Sequence, residues 1–181
     1  MKIYFLKRSF ATLLGLALYI PAVQAEDSFF SWAISPWRMK GVAVVNNAEY
    51  QEECGACHFP YPPGLLPERS WRQLLDTKAL QDHFGDNAEL NDAVRLRLLD
   101  LVVTNAAEKS WYKRSRKLMA SLDDDVIPQR ITETLYIKEK HEDIPLETLR
   151  RPSIKSLSHC DKCHTGASRG VYDDDTVVIP K

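Results

Sequence analysis

All four cysteines of this chain sit in two copies of one five-residue pattern, Cys54-Gly55-Ala56-Cys57-His58 and Cys160-Asp161-Lys162-Cys163-His164. No other feature narrows the possible folds as far. Two thiols with two residues between them on a helical turn are spaced to reach the two vinyl groups of one porphyrin as thioethers. The next residue then points its imidazole at the iron from one face, which is the attachment signature of a c-type haem. The chain is therefore expected to carry two covalently bound haem c groups, held by Cys54, Cys57, Cys160 and Cys163, with His58 and His164 as proximal iron ligands. Small Gly55 and Ala56 suit a backbone pressed against the ring. Asp161 and Lys162 suggest a more exposed second attachment turn.

Other uses of paired cysteines fit less well. A zinc ribbon places its Cys-x-x-Cys elements about 15–20 residues apart and often lacks the trailing histidine. A thioredoxin-like pair needs a surrounding βαβ pattern, which is missing here. Four cysteines in an exported chain would otherwise suggest two disulfides. Two motif copies that consume every cysteine argue for haem.

The first residues read as an export leader. Lys2, Lys7 and Arg8 form a positive region, Ser9 to Pro21 is almost wholly apolar, and Val23-Gln24-Ala25 ends on a small residue before Glu26-Asp27. The apolar run is shorter than the roughly 20 residues of a spanning helix, so cleavage after Ala25 is favoured over anchoring. The expected location is the periplasm. The chain has 24 basic and 25 acidic residues. Three of the basic ones belong to the leader, so 21 against 25 leaves the mature chain at −4 with histidine neutral. That balance argues against a nucleic-acid surface.

Along the mature chain, Phe29, Phe30, Trp32, Ile34 and Trp37 read as packing residues. Asn46 or Asn47 caps a helix running into Cys54 and His58. The loop Phe59-Pro60-Tyr61-Pro62-Pro63-Gly64 cannot stay helical, and its carbonyls are placed to accept the His58 Nδ1–H. Ser70-Trp71-Arg72-Gln73 has capping-box spacing and opens a helix over 70–83, stopped by Gly85. Asn91 caps a further helix over 91–107 whose apolar stripe is Val94, Leu98, Leu101 and Val102. This order is that of a small class I cytochrome c domain. Residues 108–117 are polar and basic and read as a solvated helix or linker between haem units. Thr134 to His141 reads as helical, Pro145 and Pro152 bracket a short turn or helix, and Ser156 to His164 forms the second attachment helix. The tail from Asp173 to Ile179 forms one short strand or packs irregularly.

Three of the five histidines remain for the far sides of the irons. His83, 25 residues after the first motif, is the candidate distal ligand of the first haem, and His141 that of the second. His159 abuts Cys160 and is tied to the proximal side of its own haem, so it could serve only the other one. Met39 and Met119 are rivals that would give His/Met ligation.

The runs Cys54–Pro67, Ser70-Trp71, Asp82-His83-Phe84-Gly85, Ile131–Thr134, Lys140-His141 and Cys160–His164 resemble the bacterial dihaem cytochrome c family. The resemblance implies a mainly α fold, with an N-terminal class I cytochrome c-like unit and a smaller, less regular C-terminal haem unit. With the leader at 1–25, the units fall at 26–108 and 109–181. It also implies two bis-histidine haems and electron delivery between a membrane b-type cytochrome and a small oxygen-binding c-type haem protein. Two filled axial positions leave no site for O₂ or peroxide, which favours an electron carrier. The rival is a haem enzyme, a peroxidase or reductase, with one open or labile iron. A haem-based sensor would want a fused output module, for which the chain leaves no length.

Overall fold

The computed structural model describes residues 41–181. The leader, the aromatic residues between 29 and 37, and Met39 lie outside the described residues. What is described is helical, joined by tight turns, with two isolated β-bridges in place of a sheet.

Helix α1 (Ala48–Gly55) starts where expected. The Asn47 side chain accepts the Tyr50 N–H at 2.8 Å, satisfying one of the open donors of the first turn. The helix ends at Gly55, so His58 lies beyond it rather than inside it.

The helix expected over 70–83 is two helices, α2 (Glu68–Leu74) and α3 (Thr77–Gln81). Pro67, with its fixed φ, begins α2 before Ser70, and Ser70 is buried inside the first turn instead of capping it. The break follows from Asp76. Its carboxylate accepts the Lys78 N–H at 2.9 Å and caps a new helix, after Leu75 leaves helical geometry at φ −96°, ψ 14°.

Helix α4 (Asp92–Thr104) is capped by Asn91, whose side chain accepts the Ala93 N–H at 2.9 Å. It ends three residues earlier than expected, and a 3-10 turn at Ala107–Lys109 continues the chain. Its apolar stripe packs across α2. Leu98 and Val102 are buried beside Trp71, Leu74 and Leu75, with Val94 and Leu101 at the margin. The Trp71 indole N–H donates to Pro63 O at 2.8 Å, so the largest ring of this core leaves no unpaired donor.

From Lys113 the basic run is a helix rather than a linker, and that helix is not wholly solvated. Helix α5 (Lys113–Ala120) buries Ser115 and Leu118 completely and packs on the turns at Pro63–Leu65 and Ala107–Lys109. Lys113, Arg116 and Lys117 occupy the exposed face. Leu118 forms a second small core with Ala107 and Tyr136, the latter on α6 (Leu135–His141). Helix α7 (Leu146–Leu149) fills the interval between the prolines. The second attachment helix shrinks to α8 (Cys160–Cys163). Ser156 Oγ lies 3.0 Å from both Ser158 Oγ and His159 Nδ1, and such local side-chain bonds compete with helical pairing.

The tail makes a 3-10 turn at Asp174–Thr176 and a single bridge, His164 to Val177, rather than a strand. The beginning and end of the described chain meet. Val42 N–H donates to Gly170 O at 3.0 Å. Gly170 has φ +71°, and a Cβ there would lie 2.2 Å from Val42 O, so only glycine fits this clasp.

Leu98 is 1% exposed and Leu96, on the opposite face of α4, is 55% exposed. Leu98→Ala is expected to cost about 2–5 kcal/mol in denaturant unfolding of the mature protein, and Leu96→Ala no more than about 0.5 kcal/mol. Equal losses would contradict the packing of α4 on α2.

Candidate haem sites

The first attachment turn leaves α1 at Cys54 and carries Cys57 and His58 into the proline loop. His58 Nδ1 sits 2.8 Å from Phe59 O, the carbonyl role expected of this loop. With Nδ1–H donated there, Nε2 is the nitrogen left to bind a metal.

The imidazole of His83 faces His58, with ring centroids 6.4 Å apart and planes 20° apart. It does not ride on the end of a helix. A reverse turn holds it: His83 N–H donates to Asp86 O at 2.7 Å and Asp86 N–H returns to His83 O at 3.3 Å. The central residues Phe84 and Gly85 have φ of 59° and 104°, the pattern of a type I′ turn. Gly85 is thus half of a turn rather than a helix stop. Phe84 is bulky for a left-handed position. The guanidinium of Arg130 lies 3.9 Å from its ring centroid, and the His83 ring meets its edge.

The second attachment turn is α8. His164 follows it, and His141 at the end of α6 stands 6.0 Å away, centroid to centroid, with planes 77° apart. His141 Nδ1 lies 2.7 Å from Ile137 O, again leaving Nε2 outward. The Tyr172 ring packs 5.2 Å from His164. Val178 N–H donates to Cys163 O at 3.0 Å, so the tail braces the attachment turn. The fold therefore pairs His58 with His83 and His164 with His141. His159 is engaged by Ser156, and Met119 packs on the small core of Ala107, Leu118 and Tyr136.

Tyrosines link the two turns, and nothing in the local sequence announces them. Tyr61 stacks on His58 at 4.9 Å and donates its hydroxyl to Ser158 O at 2.8 Å, across 97 positions of sequence. Tyr50 in turn donates to Tyr61 O. Burial pushes the Tyr61 hydroxyl up to about 12, so it stays a donor at any ordinary pH.

No two of the four cysteines are joined as a disulfide, and their surroundings are not those of a redox pair. Burial pushes Cys54 and Cys160 up to about 11, and Cys163 is also raised by burial. A thioredoxin-type pair needs the reverse, a thiolate stabilised by a nearby cation or helix N-terminus. The imidazoles of His83 and His164 shift down. Burial is the first cause for both, followed by the facing histidine and then one arginine each, Arg130 and Arg114. These shifts favour the neutral ring, which is the form that binds metal. Among the described residues no group of three or more His, Cys, Asp or Glu side chains is assembled to hold a bare ion. The donor set of paired thiols with a trailing imidazole fits a thioether-linked haem.

A helical chain with two such turns, each with its histidine facing a second imidazole, has the architecture of a c-type cytochrome. Comparison with known proteins gives the particular family. The model of the dihaem cytochrome c family matches residues 50–172. The diheme cytochrome c from Rhodobacter sphaeroides is 38% identical with a TM-score of 0.63, over 71% of this chain and 98% of that one. The diheme cytochrome type c from Shewanella baltica is also 38% identical with a TM-score of 0.61, over 76% and 95%. No match is found among curated proteins. The chain belongs to the dihaem cytochrome c family, and it is an electron carrier with two covalently bound haem c groups.

Replacing both Cys160 and Cys163 by Ala in a host that matures c-type cytochromes is expected to remove one haem and keep the other. Intact-protein mass and haem-stained gels read this directly. Retention of two covalent haems would contradict the assignment of these thiols.

Proposed function

We propose that both irons are held by two histidines, His58 with His83 and His164 with His141, and that the protein carries electrons at low potential in the periplasm. The observation that carries this reading is the spacing of the rings. An imidazole nitrogen bonds a first-row metal at about 2 Å and lies roughly 1 Å from its own ring centre, so two imidazoles on one metal stand about 6 Å apart. The two pairs measure 6.4 Å and 6.0 Å.

The residues around the rings support the same reading. Phe59 O and Ile137 O fix the orientation of His58 and His141 and raise their basicity as ligands. The type I′ turn holds His83 by backbone bonds rather than by a flexible side-chain contact. Bound haem supplies the one-electron couple, and His/His ligation sets it lower than His/Met would. With both axial positions filled by side chains fixed in this way, a carrier is favoured over a peroxidase or reductase.

The leader at 1–25 supports export to the periplasm, with the first haem unit at 26–108 and the second at 109–181. Among the described residues no helix is long and apolar enough to cross a membrane. The donor is then a membrane b-type cytochrome and the acceptor a small c-type haem protein. Docking across a small interface of an acidic chain would weaken as salt rises.

Spectroscopy separates the readings. Near-parallel imidazole planes split the iron dxz and dyz orbitals, and near-perpendicular planes leave them almost degenerate. The oxidised protein is expected to show two unlike low-spin signals in electron paramagnetic resonance: a rhombic one from the first pair and a strongly anisotropic, large-g one from the second. His83→Ala should turn only the former high-spin, and His141→Ala only the latter. Robust carbon monoxide binding to the reduced native protein at neutral pH would favour the enzyme instead.

A further inference from the structure

We propose that Arg114 is the binding site for a propionate carboxylate of the second haem. Arg114 projects inward from α5, with 16% of its side chain exposed. Its Nη1 donates to the Tyr136 hydroxyl at 3.0 Å. Its Nη2 stands 3.5 Å from Asp173 Oδ1 and 3.9 Å from Asp174 Oδ1, both longer than a charge-assisted hydrogen bond. Its Nε is buried and donates to nothing. A guanidinium has five donors in a planar fork, and a desolvated one is stable only when acceptors meet it. Among the described residues, the side chains around this one supply a single neutral acceptor at bonding distance.

The position of the fork indicates the acceptor. Tyr136 lies on α6, whose last residue is His141, and Asp173 directly follows Tyr172, whose ring packs 5.2 Å from His164. The fork thus opens beside the histidine pair proposed for the second haem, and the inference rests on that reading. The haem tethered by Cys160 and Cys163 carries two propionate carboxylates, the planar two-oxygen partner for which an arginine fork is shaped. The neighbouring acids are weaker rivals. Asp174 is largely exposed and shared with Lys140 Nζ at 4.0 Å, and Asp173 lies beyond bonding distance.

A cation here favours the reduced iron, which carries one positive charge fewer. In the mature dihaem protein, Arg114→Gln is expected to move one midpoint to more negative potential with the low-spin spectrum retained. The propionate bending band of one haem should shift in resonance Raman spectra, while Asp173→Asn leaves that band in place. Arg114→Lys keeps the charge but not the fork, so its midpoint stays near wild type while the band still moves; this variant serves if the glutamine does not fold. A folded Arg114→Gln protein with both midpoints and both bands unchanged would overturn the proposal, as would a band that follows Asp173→Asn instead. Failure of the bis-histidine reading would show separately in the unmodified protein, as a high-spin signal or as the charge-transfer band of a thioether-ligated haem.

Discussion

An imidazole that is to hold iron must be neutral, aimed, and partly shielded from water, and the proposed ligation asks this of four of them, in two facing pairs. Burial and the facing ring keep the protons off His83 and His164. Backbone carbonyls aim His58 and His141. Most of the remaining architecture serves those requirements. Helix α1 delivers the first thiol, the proline loop turns the first histidine, and α6 ends on the partner of the second. The short elements are too small to be stable alone. They hold their shape by packing on the layer of α2 against α4 and by the covalent cofactors that such a small, loop-rich chain gains as internal supports.

The two sites obey the same chemistry with different means. The first uses a turn with two left-handed residues, including a phenylalanine that this geometry disfavours. The second uses a helix end and a tail bridge. The rings accordingly lie nearly parallel in one pair and nearly perpendicular in the other. Under the proposed ligation the two iron environments are thus distinct, even though the attachment motifs are nearly identical in pattern. For a carrier this gives two steps rather than one repeated twice.

Sequence reasoning reached most of the chemistry because that chemistry is local. Two five-residue motifs announced the cofactor, Asn47 and Asn91 announced their helices, and the stripe of Val94, Leu98, Leu101 and Val102 announced a packed face. What it missed was decided at a distance or by competition between neighbours. Asp76 captured a helix start that the apolar pattern gave no reason to expect. The charge of residues 108–117 concealed Ser115 and Leu118, whose burial depends on the turn at Pro63–Leu65. The Tyr61 bond to Ser158 and the Arg114 contacts with Tyr136 and Asp173 join parts of the chain that no local pattern connects. Ser156 to His159 bonded among themselves and cut short a helix that the motif alone implied.

The clasp of Val42 on Gly170 has a consequence for assembly. Its two sides are separated by nearly the whole described chain, so both attachment motifs lie within the loop it closes. The entropy of closing a loop grows only slowly with length, by about 0.6 kcal/mol per doubling, but it must be met before the contact gives anything back. Pairings of such long range form late in folding. The bonds local to each attachment turn, such as that of His58 Nδ1 to Phe59 O, close far shorter loops and do not wait on that closure.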